Sequence, residues 1–173
     1  MTTTPIETDR LVLRRLVPGD APFILELVND TEWLKNIGDK GVRTLDDARG
    51  YIADGPAASY EANGFGLYHT ALKDGTPIGI CGLINRDTLE DVDVGFAFLP
   101  AYRRQGYGVE STRAMLEHGV RSFGLRRIVA ITALENPGSI RLLEKLGFRF
   151  ERIVDGGEGR EELRLFGWAA PPA

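Results

Sequence analysis

Val92-Asp-Val-Gly-Phe-Ala-Phe-Leu99 is an alternating apolar run that Pro100 ends, and the loop sequence Arg103-Arg-Gln-Gly-Tyr-Gly108 follows it. The alternation predicts a β-strand over residues 92–99. Beyond the loop, a long helix is predicted over residues 106–123, because apolar residues recur at helical spacing, namely Val109, Leu116, Val120 and Phe123. Gly124 follows as a helix stop. The chain therefore passes from a strand, through a glycine-containing loop, into a long helix.

The rest of the chain supplies further strands and helices on both sides of this segment. Strands are predicted at residues 8–14, 66–72, 76–84, 127–133, 148–154 and 161–168, with a hairpin turn at residues 73–75. Helices are predicted after Asp20, which can cap the first of them, at residues 44–53 with a capping box of Thr44 and Asp47, and at residues 137–146. This mixed order predicts an α/β fold in which helices flank a largely antiparallel central sheet. We expect a single domain over residues 1–173, with 169–173 as a short flexible tail.

Composition narrows the class of protein. The chain has 173 residues, 43% of them hydrophobic and 27% charged, and a formal net charge of −4, which is typical of a globular domain and not of a dedicated nucleic-acid binder. No apolar run approaches the ~20 residues of a membrane span, and the beginning of the sequence lacks the features of a signal peptide. Cys81 is the only cysteine, so no internal disulfide can form. We therefore expect a cytoplasmic protein with no nucleic-acid and no membrane partner.

The loop at residues 103–108 carries the first functional signal. Its glycines, Gly106 and Gly108, allow close approach of the backbone to a ligand, and its two arginines add positive charge beside the free N–H groups of a helix start. Two known phosphate-binding loops are excluded, because Val109-Glu110 stands where a P-loop has its Lys-Ser/Thr ending, and Ser111 stands where a dinucleotide fingerprint has its third glycine. A tight strand-to-helix turn without any ligand explains the same glycines equally well.

A second signal lies at residues 135–148. Asn136 can cap a helix that Pro137 opens and Gly147 ends, which explains these three residues without any ligand. Read alone, the segment therefore leaves a structural interpretation and a ligand-binding interpretation open.

Taken together, the two segments resemble the GNAT superfamily of acetyl-CoA-dependent N-acetyltransferases. The pyrophosphate signature of that family is Arg/Gln-x-x-Gly-x-Gly/Ala, and a later segment reads Asn-x-x-Ser followed by Gly-Phe. The matching residues are Arg103, Gly106 and Gly108 for the first motif, and Asn136, Ser139, Gly147 and Phe148 for the second. The chain is also similar to the branch of the family that includes ribosomal-protein N-terminal acetyltransferases. The similar residues are 8–14 with Asp20, 92–96 and Glu110. The resemblance covers the chain from about Ile6 to Trp168.

The resemblance implies a GNAT-like fold and the transfer of an acetyl group from acetyl-CoA to a primary amine, by direct attack in a ternary complex. The acceptor would be a protein N-terminus or a small-molecule amine. The strand around residues 96–99 would splay from the strand at 127–133 and hold pantetheine in the gap, with a backbone N–H near Phe96 or Ala97 polarising the thioester carbonyl. The residues implied in cofactor binding are Phe96, Ala97, Phe98, Arg103, Arg104, Gln105, Gly106, Tyr107, Gly108, Val109, Asn136 and Ser139.

Two side chains are candidate catalytic residues. Asp93 is the candidate general base, acting through water, although the family often has Glu here. On an alternating strand it lies beside Gly95 and Ala97, which leave space for an amine, and a solvated strand-end carboxylate is the alternative. Ser139 is the candidate acid that protonates the leaving thiolate, with cofactor contact and helix capping as alternatives. Glu110 is expected to support the first helical turn instead of performing chemistry.

Other polar and aromatic residues have plainer explanations. Cys81 is expected to be a small buried strand residue and not a nucleophile. His69 and His118 lie in no metal-binding spacing, so no metal site is expected. Trp33 and Tyr51 lie in the early helical region, where core packing competes with a place in the acceptor pocket. The competing function is a non-catalytic acyl-CoA-binding or sensing domain of the same fold, and we expect a monomer or a homodimer.

Overall fold

One sheet of eight strands organises the computed structural model, which describes residues 3–157 and 161–172. The strands are β1 (Ile6–Glu7), β2 (Leu11–Arg15), β3 (Leu67–Leu72), β4 (Pro77–Ile84), β5 (Asp93–Phe98), β6 (Arg127–Ala133), β7 (Arg149–Val154) and β8 (Leu163–Ala169). Their order across the sheet is β1-β2-β3-β4-β5-β6-β8-β7. Every neighbouring pair is antiparallel except β5 and β6, which run parallel. The predicted, largely antiparallel sheet is confirmed.

Helices cover both faces of the sheet and create two apolar clusters. The helices are α1 (Ala21–Leu27), α2 (Thr31–Asn36), α3 (Leu45–Ile52), α4 (Ala58–Asn63), α5 (Tyr107–Phe123) and α6 (Pro137–Lys145), with a π-helical turn at Ala53–Ala57. Residues of α1, α2 and α3 cluster with Ile80 on one face, whereas residues of α5 and α6 cluster with Leu83 and Ile128 on the other. Among the described residues, none of the helices has the length and apolar character needed to cross a membrane.

The turns and helix caps that the sequence predicted locally are present in the structure. The Thr44 hydroxyl accepts a hydrogen bond from the Asp47 N–H at 3.0 Å, and the Asp47 carboxylate accepts one from the Thr44 N–H at 3.1 Å, which confirms the capping box of α3. The turn predicted at residues 73–75 joins β3 to β4. α5 ends at Gly124, whose φ of +65° is the left-handed conformation that glycine adopts without strain.

Two predictions near the start of the chain are wrong. Residues 8–10 form a turn between β1 and β2 instead of a strand, because the Thr8 hydroxyl accepts a backbone N–H across the turn at 3.0 Å. Asp20 precedes α1 but its side chain does not cap the helix. The carboxylate instead accepts two hydrogen bonds of 2.9 Å from Arg14 and one from the Val17 N–H. The charged guanidinium is a stronger partner than a helix N–H group.

The buried face of α5 differs from the predicted one. Leu116 is buried as expected, but Val109, Val120 and Phe123 are only half-buried. The residues that α5 buries against the sheet are Ser111, Thr112, Met115, Leu116 and Gly119. Small residues are needed because the helix lies close to the strands, and a β-carbon on Gly119 would lie 3.2 Å from Leu83 and Ile128. Hydrophobic periodicity does not detect such a face, since serine and threonine are not counted as apolar.

The C-terminal strands have the predicted positions in the chain but an unexpected order in space. β8 inserts between β6 and β7, so β7 forms the edge of the sheet. Ala169, predicted to begin a flexible tail, is the last residue of β8. Arg126 holds the following residues, because its carbonyl accepts from the Ala170 N–H at 2.9 Å and its guanidinium donates to the Pro171 carbonyl at 2.7 Å. The predicted domain range 1–173 extends beyond the described residues at both ends.

Candidate active site

β5 and β6 pair at one point only and then separate. Asp93 lies opposite Val129, whose N–H donates to the Val92 carbonyl at 2.9 Å. Beyond this point β5 pairs with β4 alone among the strands that the structure describes. The two parallel strands therefore enclose a gap that is closed at Asp93 and open toward their carboxyl ends, Phe98 and Ala133. The predicted splay of these two strands is present.

The backbone of β5 presents unpaired polar groups to this gap. The Val92 carbonyl points to β6, whereas the Leu99 N–H points to β4 and donates to the Ile78 carbonyl at 2.9 Å. Because the backbone groups of successive residues alternate between the two sides of a strand, the Phe96 N–H points into the gap and the Ala97 N–H points to β4. Of the two predicted amide donors, the strand geometry therefore supports Phe96 and not Ala97.

The start of α5 leaves its backbone N–H groups without a side-chain cap. Gly106 occupies the N-cap position with a φ of +86°, and the first helical hydrogen bond runs from the Glu110 N–H to the Gly106 carbonyl at 3.0 Å. The N–H groups of residues 107–109 therefore have no acceptor within the helix. Arg104 also adopts a left-handed conformation, with a φ of +61°. Residues 104–109 thus form a cradle at the positive end of the helix dipole, an arrangement that binds phosphate groups.

The guanidinium of Arg103 is paired with other groups of the protein and is not a free charge beside the cradle. Its Nη2 donates to the carboxylate of Asp30, the N-cap residue of α2, and its Nε donates to the Phe98 carbonyl at 3.0 Å. Arg103 therefore ties the end of β5 to α2. This ion pair neutralises the charge of Arg103, whereas Arg104 is exposed in the loop.

Arg10 borders the cradle, where the sequence indicated no functional side chain. Its Nη1 donates to the Gln105 carbonyl at 3.0 Å, and its guanidinium carbon lies 4.3 Å from the centre of the Tyr107 ring. A β-carbon on Gly106 would lie 3.1 Å from Arg10 Nη2. The only signal for Arg10 was its place in the family-like segment at residues 8–14, and that segment does not reveal which distant loop its side chain reaches.

The two glycines of the predicted motif, Gly106 and Gly108, are suited to their positions for different physical reasons. Gly106 is required for its left-handed φ. Gly108 is in close packing, because a β-carbon at this position would lie 2.4 Å from the terminal Cδ1 of Leu142 in α6, which would have to shift, and 3.6 Å from Phe98. The absence of a side chain at Gly108 therefore allows α5 and α6 to pack closely, and the close approach that the sequence attributed to a ligand is made by Leu142.

Asp93 lies at the closed end of the gap and has only 1% of its surface exposed. Its Oδ1 accepts a hydrogen bond from Arg86 Nε at 3.0 Å, whereas Oδ2 has no partner among the described residues. Burial raises the pKa of Asp93 to about 6, and the Arg86 guanidinium opposes that rise. The alternative of a solvated carboxylate is therefore wrong. A buried carboxyl group with one unpartnered oxygen and a pKa near neutrality is suited to proton exchange.

Asn136 and Ser139 lie at the open end of the gap, where α6 begins after β6. The Asn136 side chain accepts a hydrogen bond from the Ser139 N–H at 3.3 Å, so it caps α6, as the structural interpretation of this segment predicted. The Ser139 side chain is half-buried, and its hydroxyl makes no hydrogen bond within the part of the chain that the structure describes. Ser139 thus shares the end of the gap with the cradle, and Asp93 lies at the other end.

The remaining candidates have structural roles. Burial raises the pKa of Cys81 to about 11, and its sulfur lies 3.6 Å from the Thr112 hydroxyl, so the thiol is a poor nucleophile at neutral pH. Trp33 is buried in the cluster under α1–α3, and Tyr51 packs against that cluster. Across residues 3–157 and 161–172, no group of three or more His, Cys, Asp or Glu side chains is arranged to hold a metal ion.

A gap between two parallel strands beside an uncapped helix start defines a site for a long ligand that carries phosphate groups. The chain matches the acetyltransferase (GNAT) domain over residues 10–149. It therefore belongs to the GNAT acetyltransferase family, and it is an acetyl-CoA-dependent acetyltransferase. The family resemblance, the GNAT fold and acetyl-CoA as co-substrate, all predicted from the sequence motifs, are confirmed.

One sequence relative and two solved structures illustrate the similarity. The uncharacterised N-acetyltransferase YoaA of Bacillus subtilis (strain 168) is 29% identical over 153 residues, or 86% of this chain and 85% of the relative. A GNAT-family acetyltransferase of Bordetella pertussis is 26% identical, with a TM-score of 0.80 over 96% of this chain and 100% of that chain. RimL, a ribosomal L7/L12 alpha-N-protein acetyltransferase solved in complex with coenzyme A, has a TM-score of 0.83 at 16% identity, over 96% of this chain and 98% of that chain. The likeness to RimL concerns the fold.

Proposed function

We propose that this acetyltransferase transfers the acetyl group of acetyl-CoA to a primary amine by direct attack in a ternary complex, with the gap between β5 and β6 as the catalytic site. The observation that carries the proposal is the presence, along one gap, of three kinds of polar group that have no partner within residues 3–157 and 161–172. These groups are the N–H groups of the cradle, the Phe96 N–H and Asp93 Oδ2. Each matches one requirement of the reaction, namely donor binding, oxyanion stabilisation and removal of a proton.

The cradle is the proposed binding site for the pyrophosphate of acetyl-CoA. The free N–H groups of residues 107–109 would bind the phosphate oxygens, and Arg10 would add positive charge at the edge. The pantetheine arm would then enter the gap from its open end, past Asn136 and Ser139. Residues 96–98 and 103–109 would line this path. Because the pantetheine arm is an extended chain, it matches the extended shape of the gap.

The Phe96 N–H is the proposed oxyanion donor. It points into the gap in a strand held rigidly by β4, so it needs no reorganisation when the thioester carbonyl gains negative charge. Acetyl transfer between a thioester and an amine depends strongly on how the two reactants are held. The edge of β5 therefore serves both to position the donor and to stabilise the charge that develops on it.

Asp93 is the proposed general base, acting on the amine through water. The amine nitrogen forms a bond to the carbonyl carbon, the carbon–sulfur bond breaks, and the electron pair leaves with the sulfur. Asp93 Oδ2 takes up the proton that the amine loses, since Oδ1 is bonded to Arg86. The leaving thiolate gains a proton, and Ser139 is the candidate donor of that proton. Asp93 then releases its proton to water and Ser139 regains one from water, so atoms and charges balance over the cycle with no further reactant.

The acceptor is proposed to be a primary amine, from a protein N-terminus or a small molecule. Asp93 shares its face of β5 with Gly95 and Ala97, which are both half-buried. Ile84 and Leu67 pack over Gly95, so the proposed amine would approach the carboxylate from the side of Ala97. The alpha-N-protein activity of RimL, a protein of the same fold, supports a protein N-terminus as one class of acceptor. The single cysteine is buried and reduced, which supports a place in the cytoplasm.

The first test measures thermal unfolding with acetyl-CoA, coenzyme A and ATP added separately. A ligand at ~100 times its dissociation constant stabilises the folded state by about 2.7 kcal/mol. We expect both CoA species, and not ATP, to raise the unfolding temperature. The absence of any shift with the CoA species at millimolar concentration would contradict the proposed donor site.

The second test measures release of the CoA thiol in the presence of peptides with free N-termini and of small primary amines. We expect amine-dependent thiol release that the variant Asp93→Asn reduces, with N-acetylated peptides as the unreactive control. Stabilisation by acetyl-CoA without thiol release to any amine would instead support a non-catalytic acyl-CoA-binding or sensing domain.

A further inference from the structure

β7 lies at the edge of the sheet and pairs with β8 alone among the described strands. The backbone N–H and C=O groups on its outer side are therefore unpaired. Residues 149–153 are all exposed. They include two large apolar side chains, with Phe150 exposed to 50% and Ile153 to 41%. Exposed apolar residues on an open edge strand are typical of a strand that pairs with another chain.

The two faces of β7 carry different side chains. Phe150 and Ile153 lie on the face that also carries Phe150's ring partner Phe166. A bulge between Phe150 and Arg152 shifts the register, so Arg152 lies on the opposite face. Glu151 lies on that opposite face as well, where its two carboxylate oxygens accept hydrogen bonds of 2.7 Å from Arg127. One face of the edge is therefore apolar and the other is charged.

We propose that β7 pairs antiparallel with β7 of a second copy of this chain, about a two-fold axis between Glu151 and Arg152. In this register Glu151 lies opposite the partner's Arg152, and Phe150 lies opposite the partner's Ile153. Both kinds of pair stabilise neighbouring strands, one by opposite charge and the other by apolar contact. The two-fold axis repeats each pair, so the strand is complementary to itself.

Other registers match less of the strand. In the proposed register, each of the six residues of β7 lies opposite a residue of the partner strand whose side chain points to the same face of the sheet. Arg149 then lies opposite the partner's Val154. A two-fold axis at Phe150 or at Ile153 keeps the faces matched over only about three residues, because the bulge interrupts the alternation. An axis at Ile153 also places Glu151 opposite the partner's Asp155, which is a repulsive pair.

A cleft beside the apolar face of β7 supports this pairing. It has a volume of about 580 Å³, and its lining combines four apolar residues with three charged ones, namely Ile140, Phe148, Phe150, Phe166, Glu144, Arg149 and Arg164. The partner's Ile153, placed opposite Phe150, would cover the mouth of the cleft and remove apolar surface from water. β8 and β6 separate β7 from the catalytic gap. Pairing would therefore leave both catalytic sites open, and the proposal goes beyond the proposed reaction without depending on it.

Sedimentation of the full chain from about 1 μM to about 500 μM tests the proposal. We expect a dimer whose fraction rises with concentration. The variants Ile153→Lys and Arg152→Glu should raise the dissociation constant at least about tenfold, because they place a charge opposite Phe150 and a like charge opposite Glu151. Val17→Lys is the matched control, since Val17 is an apolar residue that is 49% exposed and lies outside β7. A monomer over the whole range, or a dimer that both variants leave unchanged, overturns the proposal.

Disulfide cross-linking tests the register. Phe150→Cys and Ile153→Cys variants are oxidised separately and as a mixture, and native Cys81 does not interfere because it is buried. The register predicts a cross-linked dimer mainly in the mixture, because residues three apart on a strand lie about 10 Å from each other and a disulfide needs Cα atoms within about 7 Å. A dimer that gives no cross-link in the mixture, or equal yields in all three samples, overturns the register. Acetyl transfer should be unchanged in both variants, so failure here is distinct from failure of the proposed reaction.

Discussion

Arg10 Nε lies 2.7 Å from Glu110 Oε1 and joins the turn between β1 and β2 to the first turn of α5. The Glu110 carboxylate also accepts hydrogen bonds from the Thr8 hydroxyl at 2.5 Å and from the Arg10 N–H at 2.9 Å. Burial acts to raise the pKa of Glu110, but these hydrogen bonds outweigh burial and hold the pKa below its ordinary value. Glu110 therefore anchors the N-terminal hairpin beside the cradle, whereas the sequence predicted that it supports the first turn of its own helix.

The variant Glu110→Gln should lower the free energy of unfolding at pH 7 by about 1–2 kcal/mol, because a charged acceptor of several hydrogen bonds is lost. The pKa of Glu110 is lower in the folded than in the unfolded state. Its stabilisation is therefore present above the unfolded pKa and is lost as the pH falls through the folded pKa. The difference between wild type and variant should thus shrink from pH 7 to about pH 3. Urea unfolding of both proteins at several pH values measures this difference in the free energy of unfolding.

Glu117→Gln is the control for this prediction, because Glu117 is exposed on the same helix. We expect it to change the free energy of unfolding by less than about 0.5 kcal/mol. A loss of stability of the same size in both variants, or a difference at Glu110 that does not depend on pH, would show that the hairpin anchor is not electrostatic.

Gly108→Ala should destabilise the chain by at most about 1 kcal/mol, because its β-carbon would force the terminal Cδ1 of Leu142 to shift. The second substitution Leu142→Ala should recover part of this loss, and the double-mutant cycle should show coupling. Gly106→Ala is the contrasting variant: it strains a residue whose φ is +86°, and Leu142→Ala should not rescue it. Urea unfolding of the five variants measures the cycle. Additive effects for Gly108 and Leu142 would rule out the packing explanation.

The strand, the loop and the long helix around residues 92–123 were predictable because each leaves a local signal of periodicity or turn residues. The side-chain partners were not, because they come from distant parts of the chain. Arg103 pairs with Asp30, which is 73 residues away, and Arg10 pairs with Glu110, which is 100 residues away. The sequence motif thus located the cradle but attributed its positive charge to Arg103 and Arg104, whereas the structure pairs Arg103 with Asp30 and places Arg10 at the edge of the cradle.

The order of the last strands was not predictable for a related reason. β7 and β8 are adjacent in sequence and in space, as hairpin strands usually are, but nothing in their composition reveals which of them faces β6. Gly167 gives a physical explanation after the fact. A β-carbon there would collide with the Glu151 carboxylate, which reaches across β8 to Arg127. This ion pair joins side chains on two strands that are not neighbours in the sheet, so no periodic pattern in the sequence predicts it.

Asp93→Asn tests the proposed base. In the wild type, kcat/KM should rise with pH through an inflection near the pKa of Asp93, which is about 6. The Asn variant should lose this inflection and about 10²-fold or more in rate. The free energy of unfolding of the wild type depends on pH in the opposite sense to the rate. Because the folded pKa is raised, the contribution of Asp93 to stability is present below the unfolded pKa and is lost as the pH rises through about 6.

Urea unfolding separates these two effects of Asp93→Asn. The wild-type free energy of unfolding should decline between about pH 4 and about pH 6 from this carboxyl group, and the variant should lack that part of the decline. A rate loss accompanied by global destabilisation at neutral pH would indicate a structural role for Asp93. An unchanged pH–rate profile in the variant would remove Asp93 from the mechanism.

Arg86→Met tests how the carboxyl group of Asp93 is tuned. Arg86 donates to Asp93 Oδ1 at 3.0 Å and opposes the effect of burial on the pKa. Its removal should therefore raise the pKa of Asp93 further and move the inflection of kcat/KM to higher pH. Arg121→Met, which removes an exposed guanidinium from α5, is the control and should leave the profile in place. If the inflection of Arg86→Met coincides with that of the wild type, the titrating group is not Asp93.

Ser139→Ala tests the candidate acid at the open end of the gap. The cap of α6 uses the Ser139 N–H and not its hydroxyl, so the free energy of unfolding should change by less than about 0.5 kcal/mol. If the hydroxyl protonates the leaving thiolate, kcat should fall about tenfold or more while KM for acetyl-CoA changes little, and Ser139→Thr should restore part of the rate. Steady-state kinetics with acetyl-CoA as the varied substrate distinguishes this from simple donor binding. A rise in KM at constant kcat would assign Ser139 to holding the donor, and the thiolate would then take its proton from water.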